Sequence, residues 1–209
     1  QKTKEPFNDT EEVPEIVEPE PESMSNLVER ENIIYKKFSN DPFSGTVRYI
    51  NEKEFIVSGE YHEGLKEGVW TEIDENNDGR LVSKETYLKG LENGPFEEYY
   101  GNGQLKTAGE FKTQKEHGVW KYFTPDGNLE KKYQLKAGIK NGIAEYYYEN
   151  GNLQKIENYK NNILDGKWKT YYLNGKIESE GSYKAGIKDA KWSTYFDNAK
   201  IEMTQNWVK

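Results

Sequence analysis

Apolar and polar positions recur along most of the chain with a fixed period. Gly94, Gly118, Gly142, Gly166 and Ala190 follow one another at intervals of 24 residues, and Gly68 and Gly45 extend the series upstream at 26 and 23. A constant spacing of this size signals tandem copies of one supersecondary unit. The stretch Gly166 to Ala190, GKWKTYYLNGKIESEGSYKAGIKDA, shows the unit: a strand, a short turn, a second strand and a link rich in Gly and Lys. The turn column reads Asn102-Gly103, Asp126-Gly127, Asn150-Gly151, Asn174-Gly175 and Asn198-Ala199. Asn-Gly and Asp-Gly predict hairpins, because a type I′ turn needs φ > 0 at both central residues. Leu105, Leu129, Leu153, Ile177 and Ile201 follow the turns. Six residues later stand Phe111, Leu135, Tyr159, Tyr183 and Trp207, an even separation that predicts one shared face.

The first strand of each unit carries rings in two columns. Trp70, Phe96, Trp120, Trp168 and Trp192 form one, interrupted by Ala144; Tyr99, Phe123, Tyr147, Tyr171 and Tyr195 form the other. The columns lie three residues apart, so a regular strand sends them to opposite faces. The pattern therefore predicts an all-β fold: an elongated single-layer antiparallel sheet built from tandem β-hairpin repeats of about 24 residues over 32–209. A single hairpin is marginal in water. Its two or three large rings, each contributing roughly 1.5–3 kcal/mol on burial, do not offset backbone ordering at roughly 1–2 kcal/mol per residue. Stability must come from rings of adjacent units laid side by side.

Residues 1–31 differ. They are acidic and Pro-bearing (EEVPEIVEPEPES), without apolar periodicity, and predict a disordered tail or linker. Residues 32–38 (NIIYKKF) read as an incoming half-unit capping the first sheet edge, since Phe38 precedes Gly45 by the seven residues that separate Tyr61 from Gly68. The net charge of −8 is concentrated here: residues 1–31 hold three basic and ten acidic residues, and the remainder is nearly neutral. Neither part has the cationic patch that nucleic acid requires, and an acidic tail disfavours anionic lipid. There is no cysteine, so disulfides and thiolate metal sites are excluded. Nor is there an apolar run long enough to span a bilayer, so direct membrane insertion is not expected. The first residue is Gln1 rather than Met, for which removal of a secretory signal is the expectation and a trimmed start the alternative.

The sharpest local motif is Asp74-Glu-Asn76-Asn-Asp78-Gly79-Arg80-Leu81-Val-Ser-Lys-Glu85, which fits an EF-hand calcium loop. A partial calcium site would draw on Asp74, Asn76, Asp78 and the Arg80 carbonyl. The competing reading is a hairpin tip, because Asp78-Gly79 occupies the turn column and Glu85, six residues on, is carried about 20 Å away by a strand. His62 and His117 are isolated link residues, and adjacent acids such as Glu97 and Glu98 point to opposite faces, which does not suit acid–base pairs. No catalytic arrangement is recognisable, and the chain reads as a non-enzyme without a required cofactor. Tyr99, Phe123, Tyr147, Tyr171 and Tyr195 are the candidate partner-binding strip, since Tyr combines apolar area with a polar tip.

The repeated G-x-W-x-x-Y-Y-x-N-G-x-[LI], followed by a Tyr and a K-x-G-x-K-x-G link, resembles the MORN-repeat variant of YwqK-type bacterial proteins, some of which are labelled antitoxins. The resemblance covers about residues 32–209 and departs at Pro95-Phe96, at Ala144, at Ala190 and in the longer second unit. It implies a twisted sheet of hairpins used for protein contacts, and no catalytic residues. The expected function is a non-catalytic interaction scaffold or accessory subunit of a bacterial cell-envelope assembly, extracytoplasmic, with a protein partner that can belong to a membrane-associated complex. An antitoxin or immunity protein that blocks a toxin, in the cytoplasm, is the alternative. A carbohydrate-binding module is a third.

Overall fold

A computed structural model describes residues 20–207; residues 1–19, which make up most of the expected tail, and residues 208–209 lie outside the described part. Residues 20–31 belong to the fold rather than to a tail. A 3₁₀ turn at Met24–Asn26 leads into β1 (Leu27–Arg30), which pairs with β2 (Ile33–Lys36) in a small sheet of its own.

The main sheet then runs as an antiparallel meander. Its strands are β3 (Gly45–Ile50), β4 (Ile56–His62), β5 (Leu65–Asp74), β6 (Arg80–Leu88), β7 (Leu91–Tyr99), β8 (Leu105–Lys112) and β9 (Lys115–Phe123). It continues through β10 (Leu129–Lys136), β11 (Ile139–Tyr147), β12 (Leu153–Lys160), β13 (Ile163–Leu164), β14 (Gly166–Tyr171), β15 (Ile177–Lys184), β16 (Ile187–Tyr195) and β17 (Ile201–Trp207). The 15 strands follow chain order across the sheet, with the short β13 set against β12. An open, single-layer sheet of consecutive hairpins is what the period predicts.

Local chemistry differs from the sequence reading at both kinds of reversal. At the Asn-Gly tips only the glycine has positive φ, 84° at Gly103 and 83° at Gly151. The Gly103 amide donates to the Tyr100 carbonyl at 2.8 Å, and the Tyr100 amide to the Gln104 carbonyl at 2.8 Å. This is a three-residue loop with a left-handed glycine closing it, not a type I′ turn. Asn102 contributes through its side chain, whose Oδ1 accepts from the Gln104 amide at 3.0 Å. The two-residue turns with consecutive positive φ are the links instead: Ala137 and Gly138 at 53° and 77°, Ala185 and Gly186 at 50° and 81°, and Thr113 and Gln114 at 51° and 62°. A β-branched residue at positive φ is strained, so Thr113 marks the least comfortable link.

A one-residue register shift near each tip has a larger effect. Tyr99 pairs with Leu105, Phe123 with Leu129, Tyr147 with Leu153, Tyr171 with Ile177 and Tyr195 with Ile201. A bulge reverses the alternation beyond it. The Leu/Ile column therefore shares a face with the Tyr column, not with Phe111 and its equivalents as the even spacing predicts.

The face of the Trp column is the ring ladder. Phe96, Phe111 and Trp120 pack with centroids 5.1–5.5 Å apart, as do Trp168, Tyr183 and Trp192 at 5.1–6.5 Å. Each buried indole needs floor space. A methyl group on Gly59, Gly109 or Gly181 would lie inside the ring of Trp70, Trp120 or Trp192, the residue eleven positions on. Ala144 is the inverse case. It is paired with Tyr133, which supplies the ring that the Trp column lacks there, and Ala144 itself is buried. Tyr122, Tyr133 and Tyr146 then carry the ladder through the gap.

The N-terminal end is wrapped rather than capped by a half-unit. Phe38 is fully exposed, with φ of 65°, and does not enter the ring column. Phe43 takes that place, edge-on to Tyr61 at 6.2 Å. Glu22 bridges Val47 at the outer edge of β3, and Leu27, Ile34 and Phe43 then bury Val47, Val57, Tyr61 and Trp70 in one aliphatic–aromatic core. The Ile34 amide donates to Gly64 and the Gly64 amide to Phe43. Gly64 cannot be replaced there, since a side chain would enter Ile33 and the Ile34 backbone.

Candidate functional site

The two faces of the sheet differ in how far they are already satisfied. On the ladder face the rings are covered by the protein's own lysines. Lys66 Nζ sits 4.3 Å from the Trp70 ring and 4.5 Å from Tyr87; Lys140 lies over Tyr133 and Tyr159 at 4.1 and 5.0 Å; Lys155 covers Tyr146 and Lys188 covers Trp192. These contacts combine ammonium–ring attraction with burial of the lysine stems. Desolvation lowers the pKa of Lys66 and of Lys140. It also pushes the phenols up, to about 12 for Tyr61, Tyr122 and Tyr159. Glu157 is buried among these groups, where burial works to raise its pKa. Hydrogen bonds from Lys155 and Tyr159, at 3.0 and 2.9 Å, prevail and hold it below the ordinary value. The Tyr rings of this face are thus engaged from above and below.

The opposite face carries the predicted strip. Tyr99, Phe123, Tyr147, Tyr171 and Tyr195 lie half-buried along its turn side, each against the Leu or Ile paired with it. Three of the hydroxyls are tied down. Tyr99 donates to Glu97 at 2.7 Å, Tyr147 to Glu145, and Tyr195 to Glu180 at 2.8 Å. Burial and the Glu97 bond push Tyr99 up to about 12. Glu145 and Glu180 are paired in turn with Lys132 and Lys169 at 2.6 and 2.7 Å. The strip is therefore continuous but largely self-satisfied.

A second line on this face was not singled out from the sequence. Val69, Pro95, Val119 and Ile143 occupy the residue after each unit's opening glycine and share one register across β5, β7, β9 and β11. Val69, Val119 and Ile143 are 48%, 49% and 47% exposed. Lys167 and Lys191 continue the line, both exposed. The signal was present in the sequence, one residue from the column that defines the period.

Tyr100, Tyr148 and Tyr172 form a further unpredicted column. Their hydroxyls donate to the carbonyls of Phe123, Tyr171 and Tyr195 in the next unit, at 2.7, 2.7 and 2.6 Å. They lock tip to tip and are structural.

The Asp74–Glu85 motif is a hairpin tip. Asp74 pairs with Arg80 across the turn, Asp74 Oδ1 accepts from the Asn76 amide at 3.0 Å, and Asp78 lies 3.8 Å from the Arg80 guanidinium. Glu85 is on β6 opposite Trp70, where its carboxylate accepts from the Tyr87 hydroxyl at 2.6 Å. It stands outside the tip, so Asp74, Asn76, Asp78 and Arg80 do not complete a calcium loop with it. Among the described residues no three acidic or histidine side chains gather as a metal site. No helix among them is long and apolar enough to cross a membrane.

Comparison with known families places the MORN repeat variant at residues 92–113, 116–137, 140–161 and 164–185. No curated relative matches the chain. The four matched copies coincide with link–strand–turn–strand units of the sheet, and units of the same ladder extend beyond them on both sides.

Proposed function

We propose, from the premise that residues 92–185 are four tandem MORN-variant repeats, that this protein is a non-catalytic scaffold presenting the Val69–Ile143 face to a protein partner. One observation carries the reading: four apolar side chains stand on one register of a rigid sheet, open to solvent, beside a half-buried aromatic strip. Exposed apolar rows rimmed by polar groups are the usual form of a protein contact. The ladder face is the poorer candidate, because a sugar or peptide stacking there must first displace the lysines. The acidic N-terminal segment supports a subunit held away from its attachment point, as in a bacterial cell-envelope assembly.

The test is quantitative capture from the source cells. A Val119→Glu/Ile143→Lys variant is expected to lose specific partners at least about tenfold, equivalent to ~1.4 kcal/mol, with an unchanged melting temperature. A Lys140→Gln/Lys155→Gln variant, altered on the ladder face, is expected to retain them. Equal capture by all three proteins rejects the reading. Recovery of a membrane-associated assembly rather than a single toxin identifies the envelope role.

A further inference from the structure

We propose that the partner segment seated on this face is an amphipathic α-helix with apolar residues at heptad spacing and an acidic end. The inference rests on the scaffold reading above and names what that face holds. Val69, Pro95, Val119, Ile143 and Lys191 are each the fifth residue of their strand, in β5, β7, β9, β11 and β16. A twisted sheet turns about its mid-line, so central positions are those a straight rod can follow. The line advances by two strands per member. With neighbouring strands about 4.8 Å apart, its members recur roughly every 9.6 Å. In an α-helix, side chains seven residues apart recur on one face about every 10.5 Å. The mismatch is under about 1 Å per repeat, which rotamer choice absorbs. An extended segment also matches, at every third residue, but it is the poorer occupant. The strands beneath are already paired on both sides, so a chain laid across them joins no ladder and leaves its own amides and carbonyls without protein partners. A helix arrives with its backbone bonded.

The surface alternates in a way that receives side chains from above. Thr86, Glu110, Gln134 and Asn158 stand directly opposite Val69, Pro95, Val119 and Ile143, so each apolar member is followed one strand on by a hydrogen-bonding one. Pro95 and Val119 flank a cleft of about 360 Å³ with Glu110 between them. Charge gives the line a direction. Beyond Ile143 its members are Lys167 and Lys191, both exposed, flanking a cleft of about 380 Å³ with Ser182 between them. Among the described residues, neither ammonium has a carboxylate at ion-pair distance. Within the apolar part of the line the one charged group is the exposed Glu110, which repels an acidic side chain laid there. The acidic end of the helix therefore belongs over Lys167 and Lys191, and its apolar heptads over Val69 to Ile143.

The test uses the full chain and a fluorescent synthetic peptide of about 36 residues, the length that spans six line members at heptad spacing. It carries Leu at four successive heptad positions, Glu at the next two, and Ala and Gln elsewhere. Binding is read by anisotropy. The same peptide broken by two central Ala→Pro changes, which stop the helix, is expected to bind several-fold more weakly. So is a permuted peptide whose leucines are spread round the helix. No binding, or equal binding by all three peptides, overturns the proposal. Lys167→Glu/Lys191→Glu is expected to weaken the Glu-ended peptide several-fold and to strengthen a Lys-ended one; an equal effect on both peptides, or none on either, overturns it. Lys140→Gln/Lys155→Gln, on the ladder face, is expected to bind the helix as the unsubstituted chain does, and loss of binding there overturns the placement. Val119→Glu/Ile143→Lys separates the two readings. If it abolishes partner capture while helical and broken peptides bind alike, the helix is rejected and the scaffold stands. If capture is unchanged, the scaffold reading falls, and the helix with it.

Discussion

Residues 22–74 and residues 92–207 both give strands to the main sheet but are held in place by different means. The first region buries Leu27, Ile34, Phe43, Val47, Ile56, Val57, Tyr61 and Trp70, with chain passing over both sides of β3. In the second, the buried side chains among the described residues are Thr107, Trp120, Leu135, Ala144, Glu157, Trp192 and Ser193, scattered along the strands from β8 to β16. The N-terminal end is a small globular core; the repeats are a ribbon in which each ring leans on the next. The contrast shows what a cap does. Where the chain can fold back, aliphatic side chains supply stability; where it only advances, rings, lysine stems and tip-to-tip hydrogen bonds must supply it. The last strand, β17, is exposed along its whole length.

Alkaline titration should give the largest effect and act on both regions. Tyr61 lies in the capped core, and Tyr122 and Tyr159 in the ribbon; each phenol is pushed up to about 12, by burial first. Because the folded values exceed the unfolded value near 10, stability is fully present below about pH 10 and is lost as pH rises towards about 12. Cooperative unfolding over that interval, followed by tyrosinate absorbance, is expected; full stability beyond it contradicts the burial of these rings.

Core truncations should separate the regions. Trp120→Ala is expected to cost about 3–5 kcal/mol and Leu27→Ala about 2–5 kcal/mol. Hydrogen exchange should report the difference: loss confined to strands near β9 for Trp120→Ala, but throughout β1–β5 for Leu27→Ala. Identical exchange patterns would erase the distinction between ribbon and core.

The ring exchange at Tyr133 and Ala144 gives an intermediate effect. Ala144→Trp alone is expected to overpack and cost about 1–3 kcal/mol. Tyr133→Gly should bring Ala144→Trp to the Gly109–Trp120 arrangement and recover most of its cost, a coupling readable in a double-mutant cycle. Additive costs would show that the glycine beneath each indole is incidental. Smallest is Tyr148→Phe, which removes the bond to the Tyr171 carbonyl and is expected to cost about 0.5–1.5 kcal/mol. Its exchange effect should stop at the neighbouring unit.

Much of this was legible in the sequence. The 24-residue period, the alternation of strands and the two ring columns depend on neighbours two or three positions apart, and the sheet displays them as predicted. Even the Gly–Trp pairs stand at a constant separation of eleven, although the reason appears only when strands are paired. The candidate strip was found because Tyr99 and its equivalents recur. The Val69 line was passed over because Pro95, Lys167 and Lys191 break its chemistry.

What the residues fixed by themselves is the repeating unit, since hairpin chemistry and strand periodicity are local. Tertiary structure decided the rest. A single bulge beyond each tip moved the leucines to the Tyr face, because alternation has a period of two and one extra residue inverts it. The links rather than the Asn-Gly tips took the two-residue turns. The N-terminal segment, unreadable as a strand from its composition, wrapped β3 because that first edge presents unpaired backbone groups and the apolar Val47, which chain folding back can bond and bury.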